Sequence, residues 1–297
     1  MQTFWIISAG VFGLLVGSFL NVVIYRLPQM LMAGWRNECK EFLTEDSGLT
    51  FDEDNKNGSD QEANTIEGKS FNLAFPRSHC PSCKQLIPGW CNIPVISYLI
   101  LKGKCLRCKT HISGRYPAIE LLTGLVTAYA IYAFGLGYPA AAFIGFSWAL
   151  ICLTFIDIDH QLLPDNITLP LLWLGLGLNS FGMFTDLHSA VLGAIFGYLS
   201  LWSVYWAFKL LTGKEGMGYG DFKLLAALGA WMGWQQLPTI IILSSFVGAI
   251  IGIASIVLSG KDKNKPIPFG PYLAIAGWIA FLWGDTIQAS YLNFLGS

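Results

Sequence analysis

Long apolar runs alternate with short polar breaks along most of this 297-residue chain. The first run covers about Phe4 to Tyr25, and others lie near 117–136, 139–156, 167–184, 188–211, 222–235, 237–259 and 267–284. An α-helix of about 20 apolar residues crosses a hydrocarbon core of about 30 Å. The pattern therefore predicts an all-α polytopic membrane protein with about eight transmembrane helices. The 222–235 run is short for a crossing, so it is expected to be tilted, re-entrant or shielded by neighbours. No basic region precedes the first run and no small-residue cleavage site follows it, so it reads as a retained span.

Residues 27–116 form the one sizeable polar segment, a small domain in the first loop between the helix at 1–26 and the membrane domain at 117–297. Within it, 44–70 is acidic and rich in Gly, Ser and Asn, and is expected to be a flexible insertion. The remainder, about 71–116, is too small to build a large core by itself. No internal repeat is obvious. Glycines recur inside the apolar runs, at Gly13, Gly17, Gly175, Gly177, Gly193, Gly197, Gly248 and Gly252, where small residues let helices pack closely.

Composition agrees with this picture. Charged residues make up 12% of the chain and hydrophobic residues 54%, against about 25% charged in soluble domains. Charge placement then orients the chain. With the amino terminus outside, the inward segments are 26–116, 157–166, 209–223 and 260–266. They hold all 18 Lys and Arg residues, twelve in the first, three around Lys209–Lys223 and three around Lys261–Lys265. The positive-inside rule is obeyed throughout, with both termini on the periplasmic side. No basic cluster suggests a nucleic-acid partner.

Four of the seven cysteines fall in two C-x2-C turns, Cys80 with Cys83 and Cys105 with Cys108. Two such turns supply four thiolates, which is the form of a closed, structural zinc site. Disulfides are the rival reading, disfavoured in a cytoplasmic loop where thiols stay reduced. Lys84, Arg107 and Lys109 would offset the charge of a zinc tetrathiolate, and a metal staple suits so small a domain. Cys91 is expected to pack rather than ligate.

Carboxylates outside the polar loop are few, and ionisable groups at membrane depth suggest function. Asp157 and Asp221 both lie at inward ends of apolar helices. If they meet in a partly dry site they share one proton, and the pair can activate water and protonate a leaving amine. Asp159 competes with Asp157, but two residues apart on a helix they point about 200° apart. In "GYGDFKLL" (218–225), Gly218 and Gly220 let the backbone adopt positive φ and come close to a bound chain, so that a strand edge they flank could hydrogen-bond an extended peptide. Lys223 is assigned with them to substrate and backbone support.

Several stretches together resemble the bacterial type IV prepilin peptidases: "GSFLNVVIYRLP" (17–28), "CPSC" (80–83), "NIPVISYLILKGKCLRC" (92–108), "SGRYPAIELLTG" (113–124), "IDIDHQLLPD" (156–165) and "GYGDFKLL". The resemblance implies an inner-membrane aspartic peptidase that cuts the basic leader from prepilins and type II secretion pseudopilins on the cytoplasmic side. It implies a second activity, N-methylation of the new amino terminus from S-adenosylmethionine. The family's catalytic aspartates map onto Asp157 and Asp221, and its paired cysteines onto the four named above. No Rossmann-type glycine fingerprint marks a methyl-donor site; Gly103, Lys104 and Glu120 in or beside the loop are the candidates. The family often carries an acidic residue before "NIP", where this chain has Cys91.

Two other classes fit parts of the sequence, an ion-coupled membrane transporter and a zinc-containing membrane scaffold. The first requires carboxylates near the bilayer midplane, the second leaves the aspartates apart. The 44–70 stretch looks longer than the family needs. Its deletion is expected to leave leader cleavage unchanged, and a peptide-release assay in membranes that showed lost cleavage would overturn this.

Overall fold

Backbone polar groups in lipid must be satisfied within the chain itself, and the apolar runs accordingly fold as helices. The computed structural model describes residues 1–47, 71–80, 82–259 and 268–296. Most of the predicted 44–70 insertion therefore lies outside the described residues, as does the basic stretch around Lys261–Lys265. Among the described residues there are no strands, only two isolated bridges near the cysteines.

Nine α-helices are described: α1 Gln2–Ser47, α2 Ile96–Ile100, α3 Arg115–Phe134, α4 Tyr138–His160, α5 Asp165–Asn179, α6 Leu187–Thr212, α7 Tyr219–Met232, α8 Leu237–Ser259 and α9 Gly270–Gly296. Among the described residues, five segments are long and apolar enough to cross a membrane: Gln2–Thr44, Arg115–Phe134, Tyr138–His160, Leu187–Thr212 and Trp234–Ala254. Helices α5 and α7 have 15 and 14 residues, too few to cross an ordinary bilayer alone. The chain divides into two units, Met1–Gly135 and Leu136–Ser297.

In the first unit α1 does not stop where the polar segment begins. It continues through Arg26 and Pro28 to Ser47, about 69 Å at 1.5 Å per residue, more than twice the hydrocarbon thickness. It packs against α3, with Gly13 against Thr127 and Gly17 against the backbone of Glu120. A Cβ on Gly17 would lie 2.7 Å from Glu120 Cα, so only a hydrogen fits there. Buried Arg26 turns its guanidinium onto the chain entering the cysteine region, donating to the carbonyls of Asn72 at 2.9 Å and Pro76 at 2.5 Å.

The second unit is built round α7, ten of whose residues are buried. Helices α5, α6, α8 and α9 all touch it, which is how so short a helix avoids lipid. Gly193 of α6 and Gly229 of α7 bring the two backbones together. Fully buried Trp231 packs its ring over Gly175 and donates from Nε1 to the Leu171 carbonyl at 2.8 Å. Phe146, Phe184 and Phe281 pack round it, with centroid separations of 4.8 Å to Phe146, 5.7 Å to Phe184 and 6.4 Å to Phe281. The carbonyls left open at the end of α7 are met by buried Asn179, whose Nδ2 donates to Ala230 O and Trp231 O. Gly233, at φ +84, then breaks the helix.

Replacing Gly193 with leucine should force α6 from α7 and lower stability by about 1–3 kcal/mol. Thermal unfolding in detergent would read this as a lower Tm, whereas Gly177→Ala, at a position with open space beside it, should be nearly neutral.

Candidate active site and metal centre

Two buried carboxylates meet in the second unit. Asp157 comes from the last turns of α4 and Asp221 from the first turn of α7, and each exposes less than a tenth of its surface. They are close enough for their charges to interact. Asp159 faces outward and is exposed, the result of the 200° step along α4. The remaining acid of that stretch, Asp165, is taken by Lys223, whose Nζ lies 2.7 Å from both carboxylate oxygens. Lys223 thus ties the start of α5 to α7.

Sequence reasoning missed Gly270, the first residue of α9. Its N–H donates to Asp157 Oδ2 at 3.0 Å, and a Cβ there would lie 2.7 Å from that oxygen. Leu163 was missed too. Its side chain is buried between Gly220 and Gly270, 2.8 Å from the position a Gly220 Cβ would take. A glycine directly before an apolar helix, in "PFGPYLAIAGW", was the available sign, but nothing local connected it with Asp157, 113 residues away.

The glycines before Asp221 work differently from the expectation. Gly218 is extended, with φ −83 and ψ 150, and Gly220 is already within α7. Neither adopts positive φ, and no strand edge forms here among the described residues. Gly220 is required by its close approach to Leu163, whereas Gly218 leaves its surroundings open. The left-handed glycine of this loop is Gly213, at φ +69, which ends α6. Between Gly213 and α7, Glu215 accepts from Lys209 Nζ at 2.8 Å and from the Tyr205 hydroxyl at 3.3 Å. Tyr205 also packs on Tyr219 and Phe222, so this cluster joins the end of α6 to the turn that carries Asp221.

In the first unit the sulfurs of Cys80, Cys83, Cys105 and Cys108 all lie within 4.8 Å of one another. Tetrahedral coordination at a Zn–S length of 2.3 Å requires sulfurs about 3.8 Å apart, and Cys80 and Cys108 are separated by 3.8 Å. The same turn is built twice, a repeat the sequence did not make obvious. In each, the N–H of the residue after the second cysteine donates to the leading cysteine's carbonyl, Lys84 N to Cys80 O and Lys109 N to Cys105 O. Lys84 and Lys109 both take positive φ, at 54 and 58. Short bridges, His79 with Leu86 and Lys104 with His111, flank the two turns.

Hydrogen bonds from Thr110 pull the Cys108 thiol down to about 6, and the amides of Cys83 and Ser82 lower Cys80. Cys83 is lowered by the Gln85 amide, but desolvation and the neighbouring sulfurs outweigh this and push it up to about 11. Thiolates packed this closely repel, and a divalent cation among them removes the conflict. The four sulfurs fit zinc. Cys91 lies outside the cluster, its thiol raised by desolvation.

The three methyl-donor candidates occupy different settings. Gly103 is left-handed, at φ +66, and a Cβ there would lie 2.8 Å from Tyr98 Oη. Lys104 is exposed in the bridge with His111. Glu120 is buried and accepts from the Val95 N–H at 2.8 Å.

Comparison with known proteins divides the chain near the same place as its structure. Residues 11–134 match the bacterial peptidase A24 N-terminal domain, and residues 143–253 match the type IV leader peptidase family. The chain is 53% identical over 290 residues to the prepilin leader peptidase/N-methyltransferase of Stutzerimonas stutzeri, covering 98% of this chain and 94% of that protein. It is 54% identical over 284 residues to the protein of that name from Pseudomonas aeruginosa, covering 96% and 92%. The Legionella pneumophila protein of the same name is 44% identical over 291 residues, covering 98% and 96%. No solved structure matches. With likeness at this level along almost its entire length, and with the helices of an integral membrane protein, the chain belongs to the type IV leader peptidase family.

Proposed function

We propose that this enzyme cuts the basic leader from type IV prepilins and type II secretion pseudopilins, using Asp157 and Asp221. The observation that carries this reading is the meeting of two buried carboxylates from the end of α4 and the start of α7. Two acids so placed hold one proton between them. The ionised member takes a proton from water as it attacks the scissile carbonyl, and the protonated member donates to the developing oxyanion and then to the leaving amine. The Gly270 N–H donates to Asp157 Oδ2 and would stabilise that carboxylate in its ionised form. Lys223, paired with Asp165, ties the start of α5 to α7, the helix that carries Asp221.

Both acids sit at helix ends rather than halfway along a span. This position suits a substrate whose leader is outside the bilayer and whose apolar helix is inside, and it disfavours the ion-coupled transporter. A scaffold without catalysis would have no use for the pair. The placement of every Lys and Arg supports a cytoplasmic site and periplasmic termini.

The same enzyme methylates the newly exposed amine, with S-adenosylmethionine as co-substrate. Its relatives carry both activities in their name. Methyl transfer needs a neutral amine aligned with the donor methyl, a task of orientation and desolvation. Gly103, Lys104 and Glu120 in the first unit are the proposed donor-binding residues. Zinc held by Cys80, Cys83, Cys105 and Cys108 is structural, with no open coordination position. Its role is to fix the 71–116 region, which contains Gly103 and Lys104.

Asp157→Asn and Asp221→Asn should each slow leader cleavage by at least about 10²-fold while leaving the Tm nearly unchanged. Purified enzyme incubated with a prepilin and a methyl-labelled donor would read both activities, and normal cleavage by either variant would refute the assignment. Elemental analysis should find about one zinc per chain. Cys80→Ser with Cys108→Ser should lose it, and a metal-free wild-type chain would exclude the four-thiolate site.

A further inference from the structure

The segment between the two cysteine turns carries an apolar surface that the polar-loop reading does not explain. Trp90, Ile93, Ile96, Leu99 and Ile100 are all exposed, from 46% at Ile93 to 68% at Leu99. Ile96, Leu99 and Ile100 share one face of α2, at the three- and four-residue spacing that aligns side chains. Single exposed apolar residues are ordinary, but a contiguous group marks a contact surface.

The depth of this segment identifies what it contacts. Val95 donates its N–H to Glu120 Oε2 at 2.8 Å. Glu120 is five residues into α3, about 7–8 Å along the axis from Arg115. At that level α3 packs on Gly17 of α1, well within the apolar run that ends near Tyr25. The backbone at Val95 thus reaches beside two helices that are already apolar, at a level where Leu121, Leu122 and Leu125 of α3 are exposed. Val95 itself holds φ +59 and ψ −48, a costly conformation for a β-branched residue, so the chain is bent sharply at this point. Exposed Lys102, Lys104 and Arg107 follow directly, a basic rim beside the apolar face.

We propose that Trp90–Ile100 is a membrane wedge: its apolar side chains lie in the headgroup–acyl boundary of the bilayer, anchored by Glu120. An apolar face with a basic rim is the pattern of interfacial segments, which sink about 5–10 Å into that boundary. Lys102 and Arg107 then meet anionic headgroups. The wedge holds the cysteine turns against the membrane, whichever reaction the protein performs.

Photocrosslinking of the full chain tests this in vesicles of phosphatidylethanolamine and phosphatidylglycerol. A p-benzoylphenylalanine would replace Leu99, and separately Ile96, with Leu125 as the lipid-facing reference and exposed Glu41 of α1 as the water-facing one. Lipid adducts at Leu99 or Ile96 should approach the Leu125 yield and exceed the Glu41 yield by about tenfold. Yields as low as at Glu41 from both positions, in protein that retains the wild-type Tm, would overturn the proposal. So would adducts that shift from lipid to a co-reconstituted apolar helical peptide, because the surface would then belong to a protein partner.

Discussion

Keeping two carboxylates buried at one end of an apolar bundle is the constraint on which the second unit depends. An ionised group removed from water is costly unless something else solvates it. Here the first turn of α7 offers Asp221 the positive end of a helix, and the Gly270 N–H reaches Asp157. These donors act only if α4, α7 and α9 keep their relative positions. Leu163, packed between Gly220 and Gly270, holds that end together, and the Trp231–Asn179 cluster locks the other. Rigid packing and the polar site are therefore one requirement.

The shortness of α7 follows from the same constraint. A full-length span would carry Asp221 past the bundle end or drive the other terminus out of its aromatic socket. At 14 residues it is enclosed by its neighbours, with Gly193 and Gly229 bringing α6 close. In a bundle without a hydrophobic driving force between helices, such small-residue contacts supply the dispersion attraction that remains.

The first unit meets a different problem. Its polar region has little core of its own, and it is held by three ties: Arg26 onto the carbonyls near Asn72, Glu120 onto Val95, and the four cysteines onto one another. Each tie connects segments far apart in sequence, and two of them reach back to the membrane helices α1 and α3. A loop secured in this way can present Gly103 and Lys104 in a fixed place without a large folded domain.

Helical architecture, the paired cysteine turns and the two buried acids were legible from local sequence. Their signals are local: an apolar run long enough to cross lipid, a C-x2-C spacing, a carboxylate where apolar residues should be. The preference for Asp157 over Asp159 needed a burial pattern, since helical geometry says only that one of them faces the partner. Gly270, Leu163, the Lys223–Asp165 pair and the Val95–Glu120 tie were not readable, because each joins residues that chain position keeps apart. The glycines of "GYGD" show the division most clearly. Sequence marked them as positions where a side chain is unwelcome, but whether the reason is backbone angle or a neighbour's approach is decided by what packs there, and at Gly220 it is Leu163.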